Sequence, residues 1–122
     1  MPRMTGAKYL ADTLKAYGVS HVFLVPAVLR KSLAEMDMVG IKRVVTHGEK
    51  AAAYMADGYA RASGKVGVCM AQSVGAVNLA AGLQDAFLGL SPVLALTGHK
   101  SNLQQSRNAY RSEEHTSELQ SQ

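Results

Sequence analysis

The chain has 122 residues, 48% of them hydrophobic and 18% charged, and a net charge of +4. That size and composition suit one domain with one core and exclude a disordered chain. No apolar run reaches the roughly 20 residues of a membrane-spanning helix, and the N-terminal MPRMTGAKYL lacks a signal-peptide block.

The single cysteine, Cys69, cannot form an internal disulfide, and no Cys/His spacing suits a metal. A reducing, cytoplasmic setting is expected. Lysines and arginines are scattered and not interleaved with aromatics, so neither nucleic acid nor a membrane is expected as a partner.

Gly6 to Tyr17 reads as an amphipathic helix, with Leu10, Leu14 and Tyr17 on one face, Thr5 as N-cap and Gly18 as stop. His21 to Val25 is a short apolar strand closed by Pro26. Arg30 to Met36 is a short helix and Lys42 to Thr46 a second strand. Lys50 to Ser63 is a long helix ended by Gly64, and Val66 to Ala71 a third strand. Gly75 to Leu88 is another long helix, and Val93 to Thr97 a fourth strand.

The strands are continuous apolar runs, which predicts burial on both faces. Alternation with helices predicts an α/β domain with a parallel sheet and helices on both faces. Ligands in such sheets sit beyond the carboxyl ends of strands. Those ends are Val25 to Ala27, Thr46 to Glu49, Gln72 to Gly75 and Thr97 to His99. Sheets usually have about five or six strands, so four predict a C-terminally truncated domain. Arg111 to Gln122, RSEEHTSELQSQ, is polar and aperiodic. It resembles the translation of a sequencing adapter and reads as a non-native tail on a partial domain of residues 1–110.

Thr46-His47-Gly48-Glu49 fits the capping box, in which Thr46 would bond the Glu49 N–H and Glu49 would reach back. Its position past a strand's carboxyl end makes Glu49 a candidate for chemistry as well. Gly58, inside the helix that follows, predicts a close backbone approach there. Ser73 to Asn78 opens a helix whose free N–H groups suit an anion, and Gly75 reads as a tight turn. Cys69 reads as an inert core thiol. Glu49, His47 and Ser73 lie on neighbouring loops, but a hydrolase triad lacks its G-x-S-x-G elbow.

From about Gly6 to Tyr110 the chain resembles the N-terminal pyrimidine-binding domain of thiamine-diphosphate-dependent enzymes, of the acetolactate-synthase-like group. The resemblance rests on GVSHVFLVPA (Gly18 to Ala27), HGEKAAAYMADGYARASGKVGVC (His47 to Cys69), SVGAVNLAAGLQDAFLGLSPVLALTG (Ser73 to Gly98) and RNAY (Arg107 to Tyr110). Its most specific part is E-x8-GYAR-x-(S/T)-G-K-x-GV, starting at Glu49. The sequence departs from the family at Leu24 to Ala27, where G-x-P-G is typical, and at the shortened Ser73 to Asn78.

The resemblance implies that Glu49 is catalytic, hydrogen-bonding N1′ of the cofactor's aminopyrimidine so that the 4′-nitrogen can deprotonate the thiazolium C2. It implies cofactor contacts at Pro26, Ala27, Glu49, Ser73, Gly75 and Asn78, and no metal ligand here. The cofactor would be thiamine diphosphate, its Mg²⁺ and diphosphate held by a separate domain with a GDG…N motif; no GDG occurs in this sequence. A second subunit would supply that domain, in a homodimer or homotetramer, and the substrate would be a small 2-keto acid. A fragment of this kind would be inactive alone. The alternative is a non-catalytic α/β binding or interaction module, which would have no need of Glu49.

Overall fold

The Thr5 hydroxyl accepts the Lys8 backbone N–H at 3.2 Å and opens the first helix. The computed structural model describes residues 3–26 and 29–98. Its elements run α1 (Gly6–Ala16), β1 (His21–Leu24), α2 (Arg30–Met38), β2 (Lys42–Val45), α3 (Glu49–Ser63), β3 (Gly67–Gln72), α4 (Val74–Leu88) and β4 (Val93–Gly98). After α1 and α3 the chain turns at Gly18 (φ +80°) and Gly64 (φ +69°), a conformation that costs a glycine little.

The four strands form one parallel sheet in the order β2-β1-β3-β4. Leu24 pairs with Val45 and with Met70, and Gln72 pairs with Gly98. Alternation along the strands divides the core in two. Val22, Leu24, Val68 and Met70 pack with Ala11 and Leu14 of α1 and with Leu33 and Met36 of α2. Phe23, Cys69 and Ala71 pack with Ala52, Ala53 and Ala56 of α3 and with Leu79 of α4. Helices thus cover both faces, as the alternation predicts.

Two expectations need correction. Only the central strands are buried along most of their length. Lys42, Arg43 and Val45 of β2 are exposed, as are Leu94 and Thr97 of β4, because among the described residues these are the edge strands. Gly58 is exposed, and a Cβ there would meet nothing within 4 Å. Close approaches to α3 fall instead at Gly67 of β3, where a Cβ would collide with the Ala56 carbonyl, and at Gly82 of α4, where a Cβ would lie 2.5 Å from the Ala53 Cβ and 3.0 Å from the Lys50 carbonyl oxygen. The two helices touch through that gap.

The GYAR segment braces the sheet's amino-terminal end. Tyr59 meets the Ser20 hydroxyl at 2.8 Å, and Ser20 meets Nδ1 of His21 at 2.8 Å. The His21 and Tyr59 rings lie 5.4 Å apart. Arg61 donates from Nε to Asp57 at 2.9 Å and from Nη2 to the Asp85 carbonyl at 3.5 Å. A Cβ at Gly89 would collide with the Arg61 guanidinium. The D-x-x-x-R spacing of Asp57 and Arg61 is the sequence signal for that ion pair.

Candidate functional site

Helix α3 starts one residue beyond Gly48, so Glu49 is its first residue and not its third. The capping-box expectation fails for that reason. Gly48 is the N-cap and offers no side chain, while the Thr46 hydroxyl donates to the Gly48 carbonyl at 2.8 Å. Thr46 is buried and its bond tightens the turn from β2 into α3. Glu49, with no cap to make, is half-buried and turns toward α4.

There it meets two residues. Asn78 donates from Nδ2 to Oε2 of Glu49 at 3.2 Å. Gly75 lies beneath the other oxygen: a Cβ at Gly75 would be 2.7 Å from Oε1 and 3.1 Å from both Cδ and Cγ. Gly75 is buried within the first turn of α4 and is absent from the positive-φ glycines. Its role is therefore space and not the turn expected of it. The first turn of α4 carries no acidic residue of its own. The Glu49 carboxylate takes that place, where the partial positive charge of a helix N-terminus favours it.

Ser73 is the N-cap of α4 by position, with φ +53° and ψ −123°. A non-glycine residue in that region is strained, and such strain is held in place by its surroundings. Ser73 is 1% exposed, and its N–H reaches the Gly98 carbonyl at 3.4 Å. Pro26 follows β1 at the same edge and is exposed. Ala27 lies outside the described residues, as do His99 and everything to Gln122. The structure thus joins Glu49, Gly75 and Asn78 in direct contact, with Ser73 at the head of the same helix.

His47 is exposed, and no hydrogen bond joins it to Ser73 or Glu49. Burial pushes the Cys69 thiol up to about 12, so it carries no thiolate at neutral pH. An open cavity of about 460 Å³ lies between α2 and β2, lined in part by Leu24, Arg30 and Arg43, and Glu49 is not among its walls. No group of three or more His, Cys, Asp or Glu among the described residues could hold a metal ion. No helix among them is long and apolar enough to cross a membrane.

An acetolactate synthase of Arthrospira platensis is 45% identical over 102 residues, which is 79% of this chain and 18% of that protein. The acetolactate synthase isozyme 2 large subunit of Escherichia coli K12 is 45% identical over 101 residues, 80% of this chain and 18% of its own length. The chloroplastic acetolactate synthase of Arabidopsis thaliana is 41% identical over 96 residues, 76% of this chain and 14% of its own. The chain therefore spans less than a fifth of the length of these relatives. The profile of one family, described as "Thiamine pyrophosphate enzyme, N-terminal TPP binding domain", matches residues 4–119, and the chain belongs to that family.

Proposed function

We propose that the chain is the pyrimidine-binding half of a thiamine-diphosphate-dependent carboligase or decarboxylase that acts on 2-keto acids. The observation that carries this reading is the mounting of Glu49. A single carboxylate stands past the carboxyl end of β2, held by Asn78 and by the space at Gly75. That these relatives are acetolactate synthases supports the acetolactate-synthase-like kind.

The residues present fit the pyrimidine and not the diphosphate. Glu49 supplies one proton-exchanging group within a cradle that a Cβ would fill. A diphosphate is held by charge-assisted contacts and a metal ion, whereas this site offers one carboxylate, already engaged by Asn78. Mg²⁺ and the diphosphate are assigned to a domain of a second subunit, in a homodimer or homotetramer. When bound, the cofactor supplies the electron sink for bond cleavage next to a carbonyl. This chain's part is to orient the pyrimidine and to exchange a proton with its ring nitrogen. Asn78 makes one hydrogen bond to the carboxylate, at Oε2, which leaves it further acceptor capacity for that exchange.

The test is Glu49→Gln in the complete enzyme. Gln keeps the shape and, since Gly48 is the N-cap, disturbs no cap. The expected result is near-normal folding, with a melting temperature close to the parent's, and a loss of C2 proton exchange on bound cofactor of about 10²–10⁴-fold, the usual range for a general acid–base group. Exchange at the parent rate would sink the reading.

A further inference from the structure

We infer that Gly75 and Asn78 act on Glu49 and not on the cofactor: they are a positioning pair that fixes the two oxygens of one carboxylate. The inference rests on the reading of Glu49 given above, and reassigns two residues for which direct cofactor contact is the simpler expectation.

Gly75 has two ordinary justifications, and neither applies. Its φ is not in the left-handed region, so no turn requires glycine. It sits inside a helix, where alanine is the better helix former. What glycine provides is room: Oε1, Cδ and Cγ of Glu49 lie where a methyl group would be. Those atoms belong to a flexible side chain, so a methyl would push Glu49 aside while leaving the backbone in place.

Asn78 lies on α4 three residues beyond Gly75, so both face the same direction. Its amide donates to Oε2 at 3.2 Å, a hydrogen bond strengthened by the acceptor's charge. A glutamate has three side-chain torsions. With Oε2 tied to Asn78 and Oε1 set against Gly75, they are restricted to one arrangement. Ser73 sets the direction of this turn of α4 through its own strained backbone. A carboxylate in place of the Asn78 amide would repel Glu49.

Two variants, Gly75→Ala and Asn78→Ala, test the pair. In the 15N-labelled 122-residue chain without cofactor, the Asn78 side-chain amide resonances should move on Gly75→Ala and again on Glu49→Gln. In the complete enzyme, both alanine variants should keep the melting temperature and the thiamine diphosphate Kd. Each should lose about 10- to 100-fold in kcat, the scale of a misplaced catalytic group. Neither should lower kcat further in a Glu49→Gln background. A raised Kd with kcat intact at saturating cofactor would show that the pair binds the cofactor, and would overturn the inference. Unmoved Asn78 resonances would overturn it as well, whatever the kinetics. Full activity in Glu49→Gln alone would overturn the role of Glu49, while the resonances would still decide whether the three residues are joined. If Gly75→Ala does not fold, Asn78→Ala carries the kinetic outcomes and Glu49→Gln the resonance outcome.

Discussion

Asp57 is a carboxylate only 7% exposed, on the alanine face of α3, and Arg61 reaches it from one turn further on. The hydrogen bond from Arg61 holds the Asp57 carboxyl below its ordinary value of 3.8. Ser91 also lies on the side that lowers it, yet the buried Ser91 Oγ makes no bond within hydrogen-bond geometry. We assign the effect to Arg61. A carboxyl whose pKa falls on folding stabilises the fold above its unfolded pKa, and that contribution disappears as pH drops through the folded value. Asp57→Asn should therefore be less stable than the parent at pH 7, and the difference should shrink as pH falls below about 4. Urea titrations of both proteins between pH 7 and pH 2 check this; a pH-independent difference would remove the charge from the account. At the same scale, Cys69 should resist a thiol reagent until the chain unfolds, because burial suppresses its thiolate.

At the scale of elements, α3 and α4 carry two glycines that look alike in sequence and differ in space. Gly58 is exposed with nothing near its absent Cβ, so Gly58→Ala should stabilise the chain, by about 0.5–1 kcal/mol. Gly82 lies against Ala53, so Gly82→Val should destabilise it by about 1–3 kcal/mol through overpacking. Denaturation midpoints with equal slopes would report both, and the same sign for the two would contradict the packing described. Strand and helix limits were legible in the sequence to within a residue or two, because continuous apolar runs and glycine stops mark them without ambiguity. The contact at Gly82 was not legible: one helix has no record of which turn of its neighbour it touches. The Thr46 to Glu49 stretch misled for a different reason. T-x-x-E specifies a capping box only if the helix starts right after Thr46, and this one starts two residues later. The placement of Glu49 at a strand's carboxyl end could be read. Its attachment to Gly75 and Asn78 could not, since those residues lie 26 and 29 positions further along.

For the whole molecule, the division of labour proposed above has a direct consequence. On that proposal Glu49 serves the pyrimidine, while the diphosphate and its metal ion depend on another domain. In isolation the chain should bind thiamine diphosphate weakly, because phosphate recognition depends on charge-assisted contacts and a metal ion. It should show no turnover of pyruvate. Isothermal calorimetry giving a micromolar Kd for the 122-residue chain would contradict the half-site proposal.

The two sides of the sheet are also built from different stock. One is leucine, methionine and valine against α1 and α2; the other, beneath α3 and α4, is largely alanine. Alanine has no rotamers to exchange, and neither does glycine. Glu49 is mounted on the side with fewer rotamers to exchange, so its support should relax less than the opposite side on fast timescales. Methyl relaxation should show this as a contrast within one small domain. The Ala52, Ala53 and Ala56 methyls should follow overall tumbling, while Met36 and Met70 across the sheet move on the picosecond–nanosecond scale.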